Sequence, residues 1–547
     1  MSGRNLSDHS ISDMAVVYHK KAAQDNSGSN GSILLRETAH DVDSDTEDQP
    51  EVSDDILDML ELSLPLEKKE TERSIKDKDP NLVTWDGEGD PENPKNWSAK
   101  KKWFTTFIVS SFTFITPVSS SMVAPALERM AAELQISSDV ESQLVLSIFI
   151  LAYAVGPLFL GPMSEIYGRV PVLQLANLFY FVFNLACGFA KTKNQLLAFR
   201  FLSGLGGSAP LAIGGGVLGD TWRAHERGKS LAVYSLAPLL GPAVGPIAGG
   251  FIVENSTWRW VFYATSIADA AIQVSGVFFL RETYAPKILY QKCKKLKKQS
   301  GNLNLRTEYD DGLHSHSFKL INSAVRPFRL LGTQPIVQVL AIYMAYIYGM
   351  MFLVLSTFPT LWTGRYHESS GISSLNYVAL GVGFFIGAQF SAPLNDCIFR
   401  RLKARNKGQE KPEYRVPLMV PGSMLVPVGL FWYGWSAQMH THWIVPDIGV
   451  GIFAIGTIVA FQCIQTYLVD AYTRYAASAL AAATVLRSLA GFGFPLFAPT
   501  MYKALDYGWG NSVLAFVGIV LGVPAPLLLW RFGEPLRQKS PFAAGGG

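Results

Sequence analysis

Four charged residues stand inside stretches that are otherwise apolar: Arg200, Asp269, Asp447 and Arg487. A charge in hydrocarbon is expensive, so such residues point to function or to a dedicated partner. A carboxyl group withdrawn from water takes up a proton more readily than one in solution. Asp269, near the middle of its stretch, and Asp447, near the start of its own, are therefore candidates for binding and releasing a proton. Arg200 and Arg487 are candidates for setting the field around them, with Asp269 and Arg200 the preferred pair. Each acid has a second reading as a hydrogen-bonded structural residue. Arg200 has one as a side chain reaching to the water interface.

Two further constellations are built from small residues. Gly161-Pro162-Met163-Ser164-Glu165-Ile166-Tyr167-Gly168-Arg169 frames an acid and a base between glycines. The glycines allow a tight turn and close helix approach. Glu165 suits a helix N-terminus, where the macrodipole favours a carboxylate. Arg169 can pair with an acid at a neighbouring helix end, and Asp220 is the natural partner. In the second constellation, Gly241, Gly245 and Gly249 fall on one helix face, while Pro242 and Pro246 loosen the backbone ladder and Gly250 adds another small residue. Aromatic residues Tyr343, Tyr346, Tyr348 and Phe352 share one apolar stretch. They suit a flat, apolar or cationic ligand in a cleft, or equally an interfacial belt with core packing. The four cysteines are far apart, with no metal-ligand or disulfide spacing. No metal or cofactor is expected.

The elements that position these residues follow from composition. Of 547 residues, 49% are hydrophobic and 17% charged, against about 25% charged in a soluble domain. The apolar excess falls in runs of roughly 20 residues, each long enough to cross a bilayer. They lie near 103–127, 142–163, 171–190, 196–219, 229–253 and 260–280, then near 334–362, 376–399, 416–437, 443–469, 479–502 and 512–532. This pattern excludes a soluble enzyme, a nucleic-acid binder and a secreted disulfide scaffold. It predicts an all-α polytopic membrane protein with twelve helices in two six-helix halves, 99–280 and 334–532. A polar loop joins them at 281–333, and a short tail follows at 533–547.

The net charge of +3 hides an asymmetry. Residues 1–99 carry 23 Asp+Glu and 10 Lys+Arg, whereas the remainder carries 21 and 37. Residues 1–98 read as a disordered acidic cytoplasmic tail, since up to about residue 80 the segment cannot bury enough apolar surface to fold. Basic residues collect in one set of loops, such as Lys292, Lys294, Lys295, Lys297 and Lys298. The positive-inside rule then places both termini in the cytoplasm. Twelve helices in two halves form the layout of a carrier with its site between the halves.

The motifs narrow this further. The Gly161–Arg169 segment resembles the G-x-L-a-D-r-x-G-r loop of the major facilitator superfamily, with Glu165 in place of Asp and Val170 in place of a frequent base. The resemblance implies the major facilitator fold and a gating role for Gly161, Glu165, Gly168, Arg169 and Asp220. Arg200-Phe201-Leu202-Ser203-Gly204-Leu205-Gly206 resembles the superfamily's R-F-x-x-G-x-G motif, whose arginine is implicated in proton coupling. Gly241, Gly245, Pro246, Gly249 and Gly250 resemble the antiporter motif of its exporters. With Asn93-Pro94-Lys95-Asn96-Trp97, Trp258-Arg259-Trp260, Pro412-Glu413-Tyr414-Arg415 and Phe494-Pro495-Leu496-Phe497, the body from about 90 to 540 looks like the fungal twelve-helix drug:proton antiporters.

That resemblance implies a proton-coupled exporter of drugs, toxins or secondary metabolites, not an enzyme. Its partners would be a small-molecule substrate, protons and the lipid bilayer, with no nucleic acid, and a monomer suffices. The plasma membrane is the expected site, the vacuolar membrane the second. Alternatives are a proton-coupled uptake carrier or uniporter, for a polyamine or other nutrient, and a non-transporting sensor. A polycation fits less well than an amphipathic molecule, since no acidic cluster lies in the expected pathway. Gly228-Lys229-Ser230 ends like a P-loop, but Arg223 stands where the first glycine is needed, so an ATPase is not expected.

Overall fold

The computed structural model of the chain describes residues 81–87, 89–223, 226–309 and 316–543. Among them, eleven helical runs are long and apolar enough to cross a membrane. The first ten are Ala99–Glu133, Asp139–Tyr167, Arg169–Gly188, Lys193–Thr221, Gly228–Asn255, Arg259–Phe279, Pro335–Gly364, Ser370–Arg405, Pro412–Gln438 and Ile444–Ala471. The last, Ala476–Gln538, is twice the usual length. It breaks at Asp506, where φ is 53° and ψ −177°, so the chain reverses there. Asp506 accepts the Tyr507 amide at 2.8 Å and pairs with Arg365 at 2.8 Å, which holds the turn. The count is therefore twelve crossings, referred to below as the first to twelfth spans.

Helices dominate because hydrocarbon offers no water to a free backbone group. The spans pack through small residues rather than by hydrophobic drive, since lipid is as apolar as leucine. Large apolar side chains such as Phe107, Leu175, Phe278 and Phe390 remain exposed on the outside of the bundle, as lipid contact requires. The first span lies along the fifth, the third against the fourth, and the ninth against the tenth. Between the halves, the second span meets the eleventh and the fifth meets the eighth.

One end of the bundle carries residues 81–98 and the central loop, and is called the basic end here. The loop holds two helices, Ala285–Ser300 and His316–Thr333. The first buries Leu289 and Cys293 and leaves Lys294, Lys295 and Lys298 exposed.

Residues 81–98 depart from the expectation of a disordered tail reaching the first span. Strand β1, Leu82–Val83, pairs in parallel with β2, Arg306–Thr307. Lys292 reaches Asp86 at 2.8 Å and Asp90 at 3.5 Å. Asp90 in turn accepts the amides of Asp86 and Glu92, both at 2.8 Å. A buried acid with that many donors orders a segment that composition alone marks as solvated. Residues 1–80, the greater part of the expected acidic tail, lie outside the described residues.

Candidate translocation pathway

A cavity of about 330 Å³ lies between the two halves. Pro117, Ser120, Ser121, Ile150 and Tyr153 line it from the first two spans, and Tyr234, Pro238 and Pro242 from the fifth. The facing half contributes Tyr348, Phe352, Thr457, Phe461, Gln462, Gln465, Thr484 and Arg487. These positions fall at mid-bundle and in the basic-end halves of the fourth, fifth, tenth and eleventh spans. At the far end the halves close on each other. Lys503 pairs with Asp139 across them, and Gly250 sits against Ser370 and Ser374 of the eighth span so tightly that a Cβ would overlap them. Among the described residues, no ion pair of the basic end joins one half to the other.

At the basic end, the second span runs to Tyr167 and the third begins at Arg169, so the connecting loop is Gly168 alone. Its φ of 104° is open to glycine and strained for other residues. Arg169 Nε stands 3.4 Å from Asp220 Oδ2, its Nη2 3.7 Å from Glu165, and its Nη1 donates to Ser164 at 2.7 Å. Its guanidinium also lies 4.9 Å from the centre of the Tyr284 ring. The carboxylate on the N-terminus of the third span is Glu282, which accepts the amides of Arg169 at 3.0 Å and Val170 at 3.3 Å. Glu165 is instead half-exposed on the last turn of the second span. A Cβ on Gly161 would meet nothing within 4 Å.

The second half repeats this arrangement, a feature the sequence reading missed. Arg415 pairs with Asp396 at 2.5 Å and Asp470 at 2.9 Å, and lies 4.4 Å over the Phe399 ring. The signal was available: an arginine opening the ninth span, with acids closing the eighth and tenth, matches Arg169 between Glu165 and Asp220.

The glycines of the fifth span face the first. A Cβ on Gly241 would stand 2.6 Å from Pro117 Cβ, and one on Gly245 2.6 Å from the Val118 carbonyl oxygen. Gly249 meets the Met122 carbonyl more closely still. Ser121 Oγ donates across this seam to the Gly241 carbonyl at 3.2 Å. Pro246 is buried in the same helix.

The embedded charges are separated. Arg200 is fully buried and donates to three carbonyls, those of Val145 at 3.1 Å and of Ser119 and Ser120 at 3.3 Å. Asp269 is also fully buried, and accepts from Asn177 Nδ2 at 3.0 and 3.2 Å. The two make no contact. Asp447 sits at the far end of the tenth span, with Oδ1 lacking a partner among the described residues. Only Arg487 of these four lines the cavity.

The aromatic positions divide. Phe352 and its neighbour Tyr348 line the cavity. Tyr343 and Tyr346 turn away: Tyr346 donates to the Leu514 carbonyl at 2.6 Å, and Tyr343 packs on Gly522 of the twelfth span. The sequence reading also passed over Gln462 and Gln465, polar residues three apart in an apolar run, which share one helix face and reach the cavity.

The sequence profile of the Major Facilitator Superfamily matches residues 109–495, most of the chain and nearly all of both halves. The chain belongs to the Major Facilitator Superfamily. Among the relatives of this superfamily member is the efflux pump vrtL of Penicillium aethiopicum, 56% identical over 86% of this chain and 93% of its own length. Efflux pump radE of Floropilus chiversii is 43% identical over 87% of this chain and 88% of its own. MFS-type transporter penM of Penicillium rubens is 43% identical over 87% and 94% respectively. The motif resemblance to fungal exporters of this superfamily thus holds along the whole membrane body. The solved structure of the proton:xylose symporter XylE is similar in fold, with a TM-score of 0.59 at 16% identity over 80% of this chain and 96% of that one. The protein is a multi-pass membrane protein with the major facilitator fold.

Proposed function

We propose that this superfamily member exports small amphipathic molecules by proton antiport with alternating access. The observation that carries the reading is the cavity between the halves. It is walled by aromatic and small polar side chains, lies toward the basic end, and is sealed at the far end by contacts between the halves. With the basic end in the cytoplasm, as the loop charges favour, this arrangement accepts substrate from the cell interior. Two relatives that bear the name efflux pump, vrtL and radE, support the outward direction. The plasma membrane is the proposed site, with both termini cytoplasmic.

In this mechanism the halves rock about the cavity. Arg169 with Glu165 and Asp220, flexing at Gly168, serves as the gating cluster of one half. Proton coupling is assigned to Asp269, a buried carboxylate with no ion pair among the described residues. Arg200, the other member of the preferred pair, reaches the cavity through its carbonyl partner Ser120, itself a cavity residue. The close first-to-fifth span seam keeps the cavity wall rigid while the halves move.

The experiment is efflux of a panel of fluorescent drugs and dyes from cells expressing the chain, with and without a protonophore. Protonophore-sensitive export establishes direction and energy source together. Export that ignores the protonophore makes the protein a facilitator, and inward accumulation overturns the direction.

A further inference from the structure

Two arginines stand among the spans, Arg200 fully buried and Arg487 partly buried, and their surroundings differ. Arg200 donates to three backbone carbonyls and lies against the Phe149 and Phe262 rings, 4.6 and 5.8 Å from their centres. Its hydrogen-bonding capacity is used within the protein. Arg487 also lies between two rings, 5.0 Å from the centre of Tyr348 and 5.3 Å from that of Phe461. Its Nε, however, is sealed from solvent with no acceptor, and the side chain makes no ion pair among the described residues.

A guanidinium keeps its proton in a protein and presents a fork of donors matched to a carboxylate. Set among apolar spans without a counter-charge, it is costly. The walls of the cavity supply no such charge: among the described residues, no aspartate or glutamate lines it. The polar part of the lining that Arg487 shares is neutral: Gln462, Gln465 and Thr484, with Ser120 Oγ and Thr457 Oγ1 left without partners among the described residues. A cationic substrate would meet only like charge here. An anion would complete the fork, and a flat one would also meet the rings that flank it.

We infer that the cavity takes flat organic anions, aromatic carboxylates or phenolates, with Arg487 as the residue that receives the negative charge between Tyr348 and Phe461. This rests on the cavity being the substrate site, and it replaces the apolar or cationic ligand that the aromatic residues alone suggest. Sequence reading placed Arg487 among the coupling charges; its position in the cavity wall and its free donors assign it to substrate recognition.

The test is dye binding to the purified full-length protein in lipid nanodiscs at neutral pH, with no gradient applied. Fluorescein and rhodamine 123 share a xanthene frame and differ in the sign of their charge. The expected result is saturable binding of fluorescein on the order of tenfold tighter than rhodamine 123. Arg487→Gln should lose most of that preference while leaving rhodamine 123 no weaker, and Arg487→Lys should retain part of it as a folded control. Equal or tighter binding of rhodamine 123, the same loss for both dyes in Arg487→Gln, or no saturable binding of fluorescein to folded protein would each overturn the inference. Because no transport is measured, an error in the direction or energy source of export leaves this result unaffected.

Discussion

The carboxylate of Glu282 accepts the backbone N–H of Arg169 at 3.0 Å, clipping the end of the sixth span to the start of the third. It also accepts the amides of Thr283 at 3.0 Å and Tyr284 at 2.9 Å. The first amides of a helix have no partner inside it, and a carboxylate there is favoured by the dipole as well. Arg169 is thus held twice, its backbone by Glu282 and its side chain by Asp220, Glu165 and Ser164. Four helix ends of one half meet at this residue, one position after the single-residue loop at Gly168.

Glu282→Ala should therefore destabilise the first half by about 0.5–2 kcal/mol, the usual range for a lost N-terminal cap. The measurement is the unfolding temperature of purified protein in detergent. A variant as stable as the parent would show that the cap contributes nothing.

Neutralising the base of the cluster separates gating from folding. Arg169→Gln keeps the amide that Glu282 holds and removes the guanidinium, so surface expression should persist while efflux falls strongly. Efflux at the parental rate with equal protein in the membrane would count against the gating role.

The two framing glycines of this segment should respond differently. Gly168→Ala places a side chain at φ 104°, beside Glu282, for a cost of about 1–3 kcal/mol. Gly161→Ala meets open space within a helix and should leave stability the same or slightly higher. Thermal unfolding of both variants checks the contrast, and equal losses would refute it.

Asp269→Asn keeps the size and hydrogen-bonding reach of the side chain while removing its proton exchange. Export in the variant should stop responding to an imposed pH gradient, with downhill movement of substrate retained. Flux measured in proteoliposomes, with and without an acidic exterior, reads this directly. An intact response would shift attention to Asp447.

The segment before the first span should carry its own pH dependence. Burial would raise the pKa of Asp90, but the Asp86 and Glu92 amides and the nearby Lys292 ammonium outweigh it and hold the carboxyl below its ordinary value. A depressed carboxyl stabilises the folded arrangement at neutral pH, and that contribution disappears as pH falls through the folded-state value. Acidification, or Asp90→Asn at neutral pH, should then speed amide exchange across 81–97. Exchange that stays slow in both would show that β1 pairing alone holds the segment.

Much of the architecture was legible in the residues themselves. Backbone groups in hydrocarbon must be satisfied within a helix, so each crossing requires its own run of apolar residues, and the runs can be counted. Charges stay out of those runs, so Lys292 and its neighbours mark the basic end. The near-axial glycines Gly241, Gly245 and Gly249 signal close approach because only a missing side chain permits it.

What faces what was decided by the tertiary structure. A span is apolar toward lipid and apolar toward its neighbours, so hydrophobic periodicity does not say which side is inward. Nothing local separates Tyr343 and Tyr346, turned to the twelfth span, from Tyr348 and Phe352 in the cavity. Partner choice is equally non-local. Asp269 bonds Asn177 across 92 positions and Glu282 caps Arg169 across 113, while Arg200 takes backbone carbonyls that carry no residue identity. Arg487 shows the same limit, since its charge was visible in the chain, but that no acid among the described residues lines the cavity with it is a property of the assembled fold.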